Sequence, residues 1–177
     1  LVYEPGRYST TDEIAAVATV AGGYSGVYTS HIRNEAGGLQ KAIEEALVIG
    51  EMSGCSVQIS HHKASGADNW GDIERSIEMI EAARDEGMNV TADQYPYVSG
   101  STRLTAVLQN GALVNGIGGF GLVQAEDIVI ATCAERPEYE GRSLASFVDE
   151  WDLVAEDAAQ KIIDEGGEHV YAVVFMM

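Results

Sequence analysis

The sequence has 177 residues, of which 46% are hydrophobic and 21% charged, a composition that is typical of a globular protein and excludes a disordered one. Its net charge of −18, from 28 acidic residues against 10 Lys and Arg, argues against nucleic acid or an anionic membrane surface as a partner. Because no apolar run approaches the ~20 residues of a membrane span and no signal peptide opens the chain, we expect a cytoplasmic protein.

Helical and strand patterns alternate through the first half of the chain. Thr10 and Glu13 have the spacing of a capping box, and apolar residues then repeat at helical spacing as far as Ala21. The other elements predicted in this half are strands at 26–30, 56–60 and 89–93 and helices at 38–53 and 70–86. Helices therefore separate the strands.

The second half of the chain has a weaker periodicity. The pattern predicts a strand at 127–132, helices near 143–150 and 154–165, and a terminal strand at 169–176. Residues 110–121 include five glycines, and this composition favours a flexible connector over a dinucleotide-binding loop, which would need a preceding strand. Because the chain begins with Leu1 and stops in an apolar run, we expect it to be a fragment.

The alternation of strands and helices predicts an α/β fold in which residues 1–177 form a single domain. The first three strands begin near residues 26, 56 and 89, a spacing of about one βα unit each, which favours parallel pairing. Two architectures stay open on periodicity alone. One is a (β/α) barrel, necessarily partial because a complete one needs about 250 residues, and the other is an open doubly wound sheet.

Polar clusters follow the first three predicted strands, at residues 30–35, 60–63 and 93–97. Parallel strands bring their carboxyl ends to one rim, where ligands bind in both architectures. His31 and His61 hold equivalent positions on neighbouring strand ends, so we expect their neutral imidazoles to bind one transition metal ion. His62 alternates to the other side of its strand and is expected to pack or to support a ligand.

Arg33 and Lys63 each lie two residues beyond a predicted metal ligand. In a chain this acidic, cations at the rim of a cleft indicate capture of a substrate carboxylate. The alternative is a salt bridge to Glu35 or Asp93. Tyr95 has two interpretations as well, since it can orient an oxyanion or a substrate carbonyl, or be a half-buried aromatic residue before a proline turn.

Longer segments around these clusters carry a family resemblance over nearly the whole chain. They are LVYEPGRY at 1–8, TSHIRNE at 29–35, QISHHK at 58–63, NWG at 69–71, ADQYPYVSGST at 92–102, EGRSL at 140–144 and VVFMM at 173–177. In this order they resemble the D-aminoacylases, or N-acyl-D-amino-acid deacylases, of the amidohydrolase superfamily. The resemblance implies part of a distorted (β/α)₈ barrel that binds zinc and hydrolyses the amide bond of N-acyl-D-amino acids.

The resemblance also implies roles for individual residues. His31 and His61 resemble the metal ligands of two neighbouring barrel strands. The substrate-side positions that it implies are Tyr3, Arg33, Lys63, Tyr95 and Ser101. Arg33 and Lys63 would hold the amino-acid carboxylate. The implied chemistry is metal-assisted hydrolysis, in which zinc lowers the pKa of a bound water toward ~7 while a carboxylate acts as general base and then as general acid.

The sequence departs from the family in several places. The family's HxH pair and its metal-binding cysteine have no counterpart here, since neither Cys55 nor Cys133 matches, and the catalytic aspartate is expected beyond Met177. Residues 110–121 replace a longer helical stretch. Because zinc sites usually have at least three protein ligands, we expect weak zinc binding and no deacylase turnover from this chain alone.

Two other functions stay open at this point. One is a related amidohydrolase of the dihydroorotase or hydantoinase kind, which acts on cyclic amides. The other is a non-catalytic barrel fragment that self-associates, because unpaired sheet edges have to be covered. The preferred acyl group and side chain, and the choice between one and two metal ions, also stay open.

Overall fold

The computed structural model describes residues 1–3, 5–109, 111–113 and 123–177. The chain divides into two compact units, Leu1–Pro96 and Tyr97–Met177. Of the predicted connector at 110–121, all but residues 111–113 lies outside the described residues, and the prediction of a single domain stays a prediction. Among the helices described, none is both long enough and apolar enough to cross a membrane.

The first unit alternates helices with parallel strands, as the sequence predicts. Its elements are α1 Thr11–Gly22, β1 Val27–Ser30, α2 Leu39–Ser53, β2 Ser56–Ile59, α3 Asp72–Asp85 and β3 Val90–Ala92. The sheet has the order β1-β2-β3, and both pairs of strands are parallel. The predicted α/β order and the parallel pairing are therefore confirmed for this unit.

Local sequence features explain where these elements begin and end. The Thr10 hydroxyl accepts a hydrogen bond from the Glu13 amide and the Glu13 carboxylate accepts one from the Thr10 amide, so the predicted capping box is confirmed. Helix α2 ends at Gly54, whose φ of 71° lies in the left-handed region that glycine adopts readily.

A layer of buried apolar side chains fixes the sheet of the first unit against its helices. Leu39 and Ile43 of α2 belong to one core cluster with Val57 and Ile59 of β2, and all four are fully buried. In the sheet, Ser30 pairs with Ile59 and Ile59 with Ala92, so the three strands end at the same level. The residues that follow the strands therefore leave the sheet side by side.

The second unit is a mixed structure with its own core. Its elements are β4 Ser99–Arg103, α4 Leu104–Val107, β5 Leu108–Gln109, β6 Ala112–Leu113, β7 Ile128–Thr132, α5 Leu144–Trp151, α6 Ala155–Gly166 and β8 Tyr171–Phe175. Strands β4, β8 and β7 form a sheet in that order, and β5 pairs with β6 in a separate hairpin. Phe147, Leu144 and Ile162 are buried at the centre of the core.

Parallel pairing does not extend to the second unit, because β8 is antiparallel to both β4 and β7. Two helices, α5 and α6, connect β7 to β8. The chain reverses its direction between one element and the next. Two helices between β7 and β8 therefore leave these strands antiparallel, whereas a single helix would leave them parallel. The prediction also lacked β4, whose Ser99-Gly100-Ser101-Thr102 sequence has no apolar alternation.

Candidate metal centre

The structure brings the two predicted metal ligands together. His31 follows β1 directly and His61 follows β2, at the edge where these parallel strands end. Their ring centroids lie 4.4 Å apart with the rings at 78° to each other. Two neighbouring strands thus deliver one imidazole each to the same place.

A buried carboxylate, Glu35, completes the cluster with these histidines. One ligand atom from each of His31, Glu35 and His61 lies within 4.8 Å of the others, and these three residues are the candidate metal centre. The sequence patterns did not indicate Glu35 as a ligand. The Asn34 side chain accepts hydrogen bonds from the amides of Ala36 and Gly38, and this local turn directs Glu35 inward, where it is 3% exposed.

One oxygen of Glu35 has an unusual environment. Its Oε1 lies 2.7 Å from Nδ1 of His61, yet the pair lacks the alignment of a hydrogen bond, and this buried oxygen has no hydrogen-bond partner among the described residues. A buried polar atom without a partner is costly. An additional electropositive group at this position would remove that cost.

The other oxygen of Glu35 pairs with Lys63, which is 4% exposed. The Lys63 Nζ lies 2.7 Å from Oε2 of Glu35, donates to the His61 carbonyl at 2.9 Å and lies 3.0 Å from Nδ1 of His61. Burial lowers the pKa of Lys63, and the Glu35 charge opposes that shift. Burial raises the pKa of Glu35, but His61 and the Lys63 charge outweigh it, so the carboxyl pKa is below its ordinary value.

The backbone of His61 is held in a conformation that residues other than glycine rarely adopt. Its φ is +38°, and the Asp93 carboxylate accepts a hydrogen bond from its amide at 2.8 Å. The Asp93 carbonyl accepts another from the His62 amide at 2.8 Å. Strained backbone of this kind concentrates at functional sites, where the surroundings fix it. Asp93 therefore positions His61.

The protonation states of two further groups suit a metal-dependent reaction. Burial lowers the pKa of His31 to about 4, although Glu35 opposes this shift, so the ring is neutral near neutral pH and can donate a lone pair. Burial also raises the pKa of Tyr95 to about 12, with a further contribution from Glu35. The Tyr95 hydroxyl therefore stays protonated and can donate a hydrogen bond.

The predicted substrate-side residues have different positions. Tyr3 packs edge-on against His31 with centroids 5.2 Å apart, and the Tyr95 ring lies 6.4 Å from that of His61. Arg33 instead pairs with Glu45, and Ser101 lies on β4 of the second unit. The substrate roles of Tyr3, Arg33, Lys63, Tyr95 and Ser101 stay predictions.

His62 is separate from the candidate metal centre, as strand alternation indicates. It is 6% exposed, and its Nε2 lies 2.8 Å from the Ser76 hydroxyl of α3. Burial lowers the pKa of His62, which keeps the ring neutral in its hydrogen bond. Its role in this structure is to join the end of β2 to α3.

The donor set of the candidate metal centre fits a zinc ion. Two imidazoles and one carboxylate are a ligand combination that catalytic zinc sites use, with a further position left for water or substrate. The partnerless oxygen of Glu35 supports the same conclusion, because a metal ion would satisfy it. The nearby Lys63 ammonium opposes a second cation.

Comparison with known proteins finds relatives along the whole chain. No family model matches the sequence. The chain is 33% identical over 166 residues, or 94% of its length, to an N-acyl-D-glutamate deacylase of Alcaligenes xylosoxydans xylosoxydans, and 33% identical over 175 residues, or 99% of its length, to a D-aminoacylase of the same organism. These matches cover 31% and 32% of the two relatives.

A solved structure gives the same result. The crystal structure of N-acyl-D-glutamate deacylase from Bordetella bronchiseptica, complexed with zinc and a phosphonate inhibitor that mimics the tetrahedral intermediate, aligns with a TM-score of 0.83 and 32% identity. The alignment covers 100% of this chain and 34% of that protein. The chain thus spans about a third of the length of the proteins it matches.

Proposed function

Because this chain is homologous over nearly its whole length to part of the N-acyl-D-amino-acid deacylases, we propose that the protein hydrolyses the amide bond of N-acyl-D-amino acids with a bound divalent metal ion. The homology confirms the resemblance noted in the sequence motifs. The fold that accompanies this proposal is a partial (β/α)₈ barrel, to which the first unit contributes three parallel strands.

The proposal rests on one observation. His31, Glu35 and His61 lie close together at the ends of neighbouring parallel strands. Metal ligands in barrel enzymes project from this edge, so the cluster has the place as well as the composition of a catalytic metal site. Zinc is the metal we propose, since the related N-acyl-D-glutamate deacylase was crystallised in complex with zinc. When bound, it polarises the acyl carbonyl and lowers the pKa of a water ligand.

The residues of this chain have distinct roles in the proposal. His31 and His61 hold the metal, and Glu35 is the third ligand. Lys63 and Tyr95 offer an ammonium and a phenol hydroxyl to the substrate carboxylate and to the developing oxyanion. The resemblance implies an aspartate as the general base.

Three other residues keep a substrate-side role within the proposal. They are Tyr3, Arg33 and Ser101. For Arg33 this role requires that its guanidinium leaves Glu45. The names of the relatives favour linear N-acyl-D-amino acids over cyclic amides as substrates. Self-association and a cytoplasmic location stay predictions.

Zinc binding tests the proposal directly. We expect His31→Ala and His61→Ala each to weaken zinc binding by at least about tenfold, because each removes one ligand. Isothermal titration calorimetry of the purified chain gives the affinity. His169→Ala is the matched control, since this histidine is exposed and follows α6 in the second unit. Equal zinc affinities in all four proteins would contradict the proposed site.

Hydrolysis tests the substrate class. In the native protein that carries this chain, we expect release of the free D-amino acid from N-acetyl-D-glutamate or N-acetyl-D-methionine, and none from the L enantiomers. The His31→Ala variant should lose this activity. Turnover of dihydroorotate or hydantoin with no turnover of the N-acetyl-D-amino acids would replace the proposed reaction with one on cyclic amides.

A further inference from the structure

A lysine ammonium lies inside the candidate metal centre, in contact with two of its three members. The Lys63 Nζ is 2.7 Å from a Glu35 oxygen and 3.0 Å from Nδ1 of His61. The side chains of Lys63 and Glu35 are both 4% exposed, so water screens their charges only weakly. Lys63 therefore contacts two of the side chains that a metal ion at this centre would bind.

Two cations cannot share these ligands without a large electrostatic cost. A divalent ion bound to Glu35 and His61 would lie a few ångströms from the ammonium, in surroundings of low effective dielectric constant. The single charge of Glu35 is already neutralised by Lys63. A metal ion would therefore bind either against the Lys63 charge or after the lysine has moved away.

We propose that the Lys63 ammonium competes with a divalent metal ion for Glu35 and His61, so that Lys63 weakens metal binding and metal binding releases Lys63. The inference rests on the proposed metal site and deepens it. Coupling between two binding events is reciprocal, so each cation lowers the affinity of the centre for the other. The released ammonium is then available to bind a substrate carboxylate. Metal binding is thereby coupled to substrate binding.

The first test compares zinc affinities of variants by isothermal titration calorimetry. We expect Lys63→Met to bind zinc about tenfold more tightly than the wild type, within the usual range of coupling between sites. Without the ammonium, the buried Glu35 charge is uncompensated, and the metal ion neutralises it. Lys41→Met is the matched control, because it removes the same charge from an exposed position on α2. Equal affinities of Lys63→Met and Lys41→Met would overturn the proposal.

A second measurement uses the wild-type chain and needs no folded variant. The sequence has three lysines, Lys41, Lys63 and Lys161, so amine acylation can be followed at each site by mass spectrometry. We expect added zinc to accelerate acylation of Lys63 relative to the exposed Lys41, because the released ammonium reaches solvent. An unchanged ratio of the two rates in zinc-saturated protein would overturn the proposal.

The outcomes separate this inference from the proposed function. Zinc binding that His31→Ala weakens and Lys63→Met leaves unchanged contradicts the competition alone. Absence of zinc binding from both the wild type and Lys63→Met contradicts the competition and the metal site together. Binding by Lys63→Met without measurable binding by the wild type supports both.

Discussion

Arg33 has a complete set of partners within the first unit. Its Nε and one terminal nitrogen donate to the two Glu45 oxygens at 2.8 and 2.9 Å, and its terminal nitrogens also donate to the carbonyls of Arg7 and Ser9. A bidentate pair of this kind fixes geometry as well as charge. It joins the segment before α1, the end of β1 and helix α2, and these contacts would have to open before Arg33 could bind a substrate.

The Arg33–Glu45 pair predicts a pH dependence of stability. Burial raises the pKa of Glu45, but hydrogen bonds from Arg33 and Thr11 outweigh it, so the folded-state pKa is below the ordinary value. Stabilisation by an acid with a lowered pKa is present above its unfolded pKa and is lost as the pH falls through its folded pKa. We expect Glu45→Gln to cost about 1 kcal/mol near neutral pH, because the pair is partly exposed.

Urea denaturation of the wild type and Glu45→Gln over a range of pH measures this effect. The difference in unfolding free energy should shrink in acid, as the wild-type Glu45 becomes protonated. Glu44→Gln, an exposed neighbour on the same helix, controls for the general loss of one negative charge. A difference between wild type and Glu45→Gln that is constant with pH would show that Glu45 acts without its charge.

At the residue scale, the sequence predicted the two histidines of the candidate metal centre but not the residues around them. His31 and His61 could be found because both directly follow predicted parallel strands. Glu35 could not, because its inward direction depends on the turn made by Asn34 and on the Ser65 amide, which donates to the Glu35 carbonyl from another loop. A salt bridge between Lys63 and Glu35 was among the alternatives and is present, whereas Arg33 pairs with Glu45 instead.

At the scale of elements, the crossing of α1 and α2 depends on one glycine. A Cβ atom added to Gly22 would overlap the Ser53 carbonyl oxygen at the end of α2, and backbone atoms cannot move aside as a side chain does. The adjacent Gly23 has φ −60° and its Cβ would meet its nearest neighbour at an ordinary 3.6 Å. Gly22 thus permits the close approach of the two helices.

These neighbours form a matched pair for a stability test. We expect Gly22→Ala to destabilise the chain by about 1–3 kcal/mol, the usual cost of overpacking, in spite of alanine's better helix propensity. Gly23→Ala should change the unfolding free energy by less than about 1 kcal/mol, because its backbone conformation suits alanine. Chemical denaturation followed by circular dichroism measures both. Equal losses in the two variants would contradict a specific role for Gly22.

The strands and helices themselves were predictable because their patterns are local. The capping box, the amphipathic stretch at 38–53 and the short strand patterns of β1 and β2 are each complete within one segment. Strand direction is not local. The antiparallel position of β8 follows from the number of helices between strands and from pairing with β4, a strand whose polar sequence gave no signal.

At the scale of the whole molecule, the chain corresponds to a limited part of the related deacylases. The chain covers about a third of the related deacylases, and its candidate metal centre lies in the first unit alone. The candidate ligands there are three, one more than the two histidines that the sequence predicted. Under the proposals made above, the third candidate ligand would raise the zinc affinity of the chain and Lys63 would lower it. The balance between these two effects would set how much metal the chain binds.

The net charge of −18 leads to a prediction for the whole chain. With 28 acidic residues and only 10 Lys and Arg, repulsion between carboxylates opposes the compact state near neutral pH. Salt screens this repulsion, since the Debye length falls to about 3 Å at 1 M. We expect added NaCl to stabilise the fold by about 1 kcal/mol, or roughly 2–4 °C in Tm for a chain of this size.

Two controls identify screening as the cause of this stabilisation. Choline chloride should stabilise the fold by the same amount as NaCl. The stabilisation by salt should be smaller near pH ~4.3, where glutamates become protonated. A gain that is the same at both pH values would assign the effect to salting-out of apolar surface.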